Sequence, residues 1–214
     1  MTRQIRFAGR WTETIGWIIG INVAIFLLQH LFPPLTYQLA LVPGRVVPFH
    51  AYTLLTYSVL HASIGHIFFN MLTLFFFAGD LDILMGRKRF LILYLGSALT
   101  GGVAAALFLH RGIPVIGASA AIYGVLVAYA LYFPNTEILL WFVLPIKVWV
   151  LVAVWIGISV FYSVFSATGG GIAHIAHLGG ALFAFFYIGR AWRPGGLWRD
   201  LKYRWRRRRF KVYK

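Results

Sequence analysis

The stretch Gly117-Ala-Ser-Ala-Ala-Ile-Tyr-Gly124 decides how this chain is read. It places Ser119 at the head of an apolar run, just after the turn signal Arg111-Gly112-Ile113-Pro114. A hydroxyl there is ordinarily a helix N-cap or a helix–helix hydrogen bond. Two other apolar segments change the reading, one carrying His66 with Asn70 and the other His174 with His177. Ionisable side chains inside hydrocarbon are costly and tend to mark function. Together these residues point to hydrolysis carried out inside a bilayer.

Composition supports the bilayer. Of 214 residues, 60% are hydrophobic and only 12% are charged, with a mean hydropathy of +0.78. A soluble domain of this length does not need so much apolar surface, whereas a polytopic membrane protein does. The length suits one domain. The absence of cysteine excludes disulfides, thiolate nucleophiles and cysteine-based metal sites. No small-residue cleavage site follows the first apolar stretch, Thr14 to Phe32, so it reads as a retained helix rather than a signal peptide.

Six apolar segments can be drawn, at about 14–32, 64–85, 89–109, 118–133, 147–166 and 172–190. The fourth is short for a hydrocarbon layer that takes about 20 helical residues to cross. Shielded by its neighbours, it can begin below the membrane surface, which puts Ser119 at depth. Of the 20 Lys and Arg residues, all but Arg45, Arg111 and Lys147 fall in the N-terminal segment, between segments two and three, or after segment six. Placing these clusters on the cytoplasmic side gives six crossings with both termini inside a multi-pass cell (inner) membrane protein. Segments two, four and six then run inward together, and His66, Ser119 and His177 share one level near the outer face. Pro33 to Ser63 is too broken for another span and reads as a loop partly embedded in the outer interface. Glu137 to Pro145 is assigned either to a connection or to a broken fifth helix. The expected organisation is an N-terminal segment over 1–13, a membrane domain over 14–190 and a basic, aromatic tail over 191–214.

The chemistry follows from residue types. His66 and Asn70 are i, i+4, as are Ser119 and Tyr123, while His174 and His177 are i, i+3, so each pair shares a helix face. A serine becomes a nucleophile when a base takes its proton, and imidazole is the usual base near neutral pH. The developing oxyanion needs preorganised donors. Asp80 and Asp82 sit at the far end of segment two, so the set available is a dyad rather than a triad.

On these residues the chain resembles the rhomboid family of intramembrane serine proteases, over about Leu54 to Arg190. Leu54 to Leu72 is similar to that family's approach to its second helix, with His61, His66 and Asn70 in the His-x4-His-x3-Asn pattern. Gly117 to Gly124 resembles its Gly-x-Ser-Gly motif, and Ala173 to Gly180 its sixth-helix motif, in which the base precedes a packing glycine by three residues. That resemblance selects His177, ahead of Gly180, over His174. It implies an all-α bundle of six transmembrane helices that cleaves membrane-protein substrates. Ser119 would be the nucleophile and His177 the base. The Ser119 N–H, His66 and Asn70 would form the oxyanion site, with Tyr123 stacked on His177 and Gly117 and Gly180 in support. No cofactor or metal is implied. Ala120 and Ala184 replace expected glycines, Tyr52-Thr53 stands where Trp-Arg is usual, and Asp82 where Glu is commoner. These departures bear on helix spacing and turnover rather than reaction class.

Other readings stand beside this one. A rhomboid-like protein without catalysis would capture membrane clients, and a paired-histidine haem or metal transporter would use His174 and His177. His61 reads as a brace for its loop. From Arg190 onward there are eleven Lys/Arg and one acid, Asp200, interleaved with aromatics. This pattern fits an anchor to anionic lipid. Nucleic acid is not the expected partner, because no nucleic-acid-binding fold surrounds the charge.

Overall fold

The computed structural model describes residues 9–46, 49–109, 112–140, 143–165 and 172–189. Residues 1–8, Arg111 of the expected turn signal, residues 166–171 and the expected basic tail lie outside them. The major helices are α1 (Glu13–Leu31), α4 (Ile64–Met85), α5 (Arg87–Phe108), α6 (Ser119–Tyr132), α7 (Val148–Phe165) and α8 (Ile172–Gly189). Their bounds fall within three residues of the apolar segments drawn from sequence.

Local signals set several of these bounds. The Thr12 hydroxyl accepts from Ile15 N–H at 3.3 Å and caps α1, and Ser63 caps α4 by accepting from His66 N–H at 3.2 Å. Gly86, at φ +80°, alone separates α4 from α5, a conformation that glycine adopts without steric cost. The Arg87, Lys88 and Arg89 cluster therefore forms the first turn of α5, not a loop.

Four helices, α1, α4, α5 and α7, are long and apolar enough to cross a membrane, and α6 and the stretch His174–Gly189 of α8 are shorter apolar helices. Large apolar side chains such as Trp17, Leu27, Leu107, Phe108, Phe161 and Phe186 are exposed on the outer faces. Apolar surface on that scale needs a lipid solvent. The chain is an integral membrane protein.

The core is centred on α6. Every residue from Ala120 to Tyr129 is buried, as expected of a helix that is hydrophobic all round. Helices α5 and α8 approach α6 at small residues. A Cβ placed on Gly180 of α8 would run into the Ala120 carbonyl of α6, and one on Gly124 of α6 would run into Ser97 of α5. Such close backbone approach maximises dispersion contact where no hydrophobic force drives helices together. By contrast α7 is packed loosely, with only Val148, Val152 and Ser159 buried.

The connection after α6 departs from expectation. Glu137 to Pro145 is neither a plain connection nor the start of a broken helix. It belongs to an antiparallel ladder, β1 (Glu137–Leu140) with β2 (Leu144–Lys147), Glu137 opposite Lys147. Pro145 has no N–H to give a helix and is tolerated at a strand edge. The apolar run around it has no periodicity that separates strand from helix. Lys147 consequently lies at the end of the bundle away from Ser119, with Arg10 and the Arg87, Lys88 and Arg89 cluster.

The segment between α1 and α4 is compact. It contains two short helices, α2 (Pro34–Leu39) and α3 (Thr53–Thr56). Leu41 and Val115 exchange backbone hydrogen bonds at 3.1 and 2.8 Å, and the Tyr57 hydroxyl donates to the Ala98 carbonyl at 2.8 Å. Tyr37, Phe49 and Tyr52 face outward.

At the end away from Ser119, Arg10 lies 3.3 Å from Asp80, and the Tyr129 hydroxyl donates to the same carboxylate at 3.2 Å. This ties the N-terminal segment, α4 and α6 together. Replacing Gly180 by Ala should destabilise the bundle by about 1–3 kcal/mol through overpacking, lowering Tm in detergent. Gly157→Ala, whose Cβ would meet open space, should leave Tm unchanged, and equal Tm values for both variants would contradict the packing described.

Candidate active site

Three helix starts meet at one end of the bundle. The turn before α6 sets Ser119. Gly117 N–H donates to the Tyr57 carbonyl at 2.9 Å, and Gly117 adopts φ +127°, a conformation L side chains rarely take. The capping residue of α6 is Ala118, which makes no side-chain cap. The Ser119 hydroxyl is thus not spent on its own helix. The first α6 turn leaves its N–H groups without intrahelical carbonyl partners, the usual condition of a helix start.

The hydroxyl is engaged by α8. Ser119 Oγ lies 2.6 Å from His177 Nε2, a short hydrogen bond. Gly180 follows His177 by one turn and seats α8 on Ala120, the neighbour of Ser119. The same packing contact therefore sets the distance between the hydroxyl and the imidazole. The His177 ring lies flat on Tyr123, with centroids 4.3 Å apart and planes 13° apart. Its Nδ1 has no hydrogen-bond partner among the described residues. The described carboxylates, Glu13, Asp80, Asp82 and Glu137, all belong to the other end.

From α4 come His66 and Asn70. A Cβ on Gly117 would come within 2.8 Å of His66 Cε1 and Nε2 and 3.7 Å of Ser119 Oγ. The His66 ring therefore lies against the bare Gly117 backbone beside the hydroxyl. His66 Nδ1 accepts from Ala62 N–H at 3.4 Å, which assigns the ring proton to Nε2, the nitrogen beside Gly117. Asn70 is buried, and its Nδ2 makes no hydrogen bond among the described residues. A donor left open in this way is suited to a charge that appears only during reaction.

His61 lies in the loop ahead of α4 and braces it. Its backbone N–H donates to Gln29 Oε1 at 3.0 Å, and its carbonyl accepts from Gln29 Nε2 at 3.3 Å. The His61 ring meets the His66 ring edge-on at 5.0 Å. Burial, reinforced by His66 nearby, lowers the His61 pKa to about 4 and keeps it neutral near pH 7.

His174 is separate from the serine. Its Nδ1 lies 3.3 Å from Ser159 Oγ on α7, and its ring stacks on Tyr162 at 5.1 Å. Ser159 also lies 2.9 Å from the Tyr123 hydroxyl. Sequence reasoning missed Ser159, one of two serines in an apolar helix, because nothing local distinguishes it from Ser163. It also missed Gln29. The structure brings together Ser119, His177, Tyr123, Gly117, Gly180 and His66.

Ala120 was the residue most at odds with the motif. Its methyl is almost fully buried and lies over Gly101 of α5, where an added Cβ would approach it to 2.5 Å. The space that a glycine on α6 would leave is supplied instead by a glycine on α5.

Comparisons with known proteins agree with this architecture. Residues 48–193 match the Rhomboid domain. Rhomboid protein 1, mitochondrial, of Saccharomyces cerevisiae is 28% identical over an alignment of 182 residues that covers 79% of this chain and 51% of the yeast protein. Presenilin-associated rhomboid-like protein A, mitochondrial, of Danio rerio is 33% identical over 62% of this chain and 35% of its own length. Rhomboid protease GluP of Bacillus subtilis is 41% identical over 34% of this chain and 14% of its own. The chain spans about half the length of the yeast relative and less of the other two. The chain belongs to the rhomboid family.

Proposed function

We propose that this protein is an intramembrane serine endopeptidase working through a Ser119–His177 dyad. The observation that carries the reading is the 2.6 Å contact between Ser119 Oγ and His177 Nε2 at the head of a buried helix. His177 takes the Ser119 proton as the oxygen attacks a peptide carbonyl. The carbonyl oxygen becomes an oxyanion facing the Ser119 N–H, His66 Nε2–H and Asn70 Nδ2. His177 then protonates the leaving amine. Water, activated by the same imidazole, hydrolyses the acyl-enzyme. With the ring flat on Tyr123, stacking does the orienting that a third carboxylate does in a triad.

The substrates are transmembrane segments of other membrane proteins. A helical peptide bond is shielded by its own hydrogen bonds, so the cut falls where the segment unwinds, and small or helix-breaking residues are favoured there. Six apolar helices, α1, α4, α5, α6, α7 and α8, form the membrane domain over 14–190, with the α1–α4 connection partly embedded through Tyr37, Phe49 and Tyr52. Its basic clusters place both termini in the cytoplasm of a cell with this protein in its inner membrane, and the Ser119 end faces out. The tail over 191–214 serves as an anionic-lipid anchor.

A client-binding rhomboid without catalysis is the competing reading. The presence of both serine and histidine in bonding geometry speaks for the protease. The hydroxyl partners of His174 and His177 likewise favour it over a haem or metal carrier.

In proteoliposomes with a model transmembrane substrate, Ser119→Ala should abolish cleavage, and persisting cleavage would refute the nucleophile. Fluorophosphonate labelling of the wild type, lost in His177→Ala, separates protease from client binder. Asn70→Ala should lower kcat about 10- to 1,000-fold with KM little changed, as for loss of one oxyanion donor. A peptide of residues 191–214 should bind anionic vesicles more tightly than neutral ones, with the difference shrinking as salt rises; equal binding would sink the anchor.

A further inference from the structure

The base is not held by α6 and α8 alone. Ser159 is fully buried on α7, a helix otherwise largely exposed. Its hydroxyl reaches Tyr123 at 2.9 Å and His174 Nδ1 at 3.3 Å. A hydroxyl donates once and accepts twice, so Ser159 satisfies both partners at once. Each partner in turn bounds His177. Tyr123 covers one ring face at 4.3 Å, and the His174 ring stands edge-on at 5.7 Å, with planes 87° apart.

His177 Nδ1 finds no partner among the described residues. Beside its bond to Ser119, the ring is in contact with these two aromatic neighbours among the described residues. Tyr123 is anchored at its backbone by α6 and at its hydroxyl by α7, which fixes the plane against which His177 lies. His174 is fixed between Ser159 and the ring of Tyr162, also on α7. The face and edge contacts of the base are therefore both referred to one helix.

We propose that Ser159 is a positioning residue for the dyad: by bonding Tyr123 and His174 together, it makes the orientation of His177 depend on the seating of α7. This rests on the assignment of Ser119 and His177 as the dyad. Displacement of α7 breaks both Ser159 contacts and frees Tyr123 to tilt. The base is then set for proton transfer only when α7 is in place against α6 and α8. Proton transfer is sensitive to such tilts, because a misplacement of about 1 Å at a catalytic group can cost about 100-fold in rate.

The test is a double-mutant cycle in proteoliposomes, with wild type, Ser159→Ala, Tyr123→Phe and the pair, and Ser119→Ala as the background. Folding is checked by thermal unfolding. Ser159→Ala should lower kcat about tenfold with KM within twofold, because the lost interaction acts on proton transfer and not on binding. Fluorophosphonate labelling should slow in parallel. Tyr123→Phe should cost a similar factor, and the double variant no more than either alone, the signature of groups acting as one unit. A merely structural role would lower Tm, and its losses would multiply in the double variant. A Ser159→Ala enzyme with kcat within twofold of wild type, or losses that multiply, overturns the inference while leaving the dyad intact. A wild type that neither cleaves nor labels, or a Ser119→Ala variant that still cleaves, overturns the dyad and this inference with it.

Discussion

The contact between the bare face of Gly180 and the Ala120 carbonyl governs the geometry of this molecule. Two helices in a membrane gain little from hydrophobicity, so their distance is set by the side chains between them. Here there is none on α8. The consequence reaches the residues one turn and one position away, His177 and Ser119, whose separation is inherited from that contact. Gly101 opposite the Ala120 methyl and Gly124 opposite Ser97 extend the same logic to α5. Helices α5 and α8 thus both close tightly on α6, while the loosely seated α7 touches the site through polar and aromatic groups.

A second constraint comes from the chain between α1 and α4. Tyr57 receives the Gly117 N–H through its carbonyl and gives its hydroxyl to α5. The turn that presents Ser119 is consequently held by a segment with little regular structure of its own. The Leu41–Val115 pairing repeats the arrangement one step away. Backbone groups in such a segment must find partners, and the partners they find are those that fix the site.

Much of this was legible in the sequence. The apolar runs gave helix bounds within three residues, because a membrane leaves few alternatives for long apolar segments. Ser119, His177 and His66 could be grouped because each lies near the start of a segment expected to run in the same direction, whereas the choice of His177 over His174 and its pairing with Tyr123 came from the family resemblance. The Glu137 to Lys147 ladder was not legible, since a short apolar run with one proline carries no decisive period. Ser159, Gln29 and the pairing of Gly101 with Ala120 were not legible for a different reason. Each depends on which residue faces it across the bundle, and spacing within one helix says nothing about that. Ala120 shows the cost: judged within its motif it looked like a defect, yet judged against α5 it is one half of a complementary pair.

The reciprocal bonds between Gln29 and His61 have a consequence for where this protein's working unit begins. The Rhomboid domain match starts at residue 48, but the brace on the His66 loop comes from α1, and Arg10 reaches Asp80 from still earlier in the chain. A boundary drawn by family likeness would cut through both. A single amide on α1 holds that loop by its backbone, while Trp17, Leu27 and Leu31 on the same helix are exposed. In this chain the contacts that hold α4 and the loop before it reach beyond the matched domain.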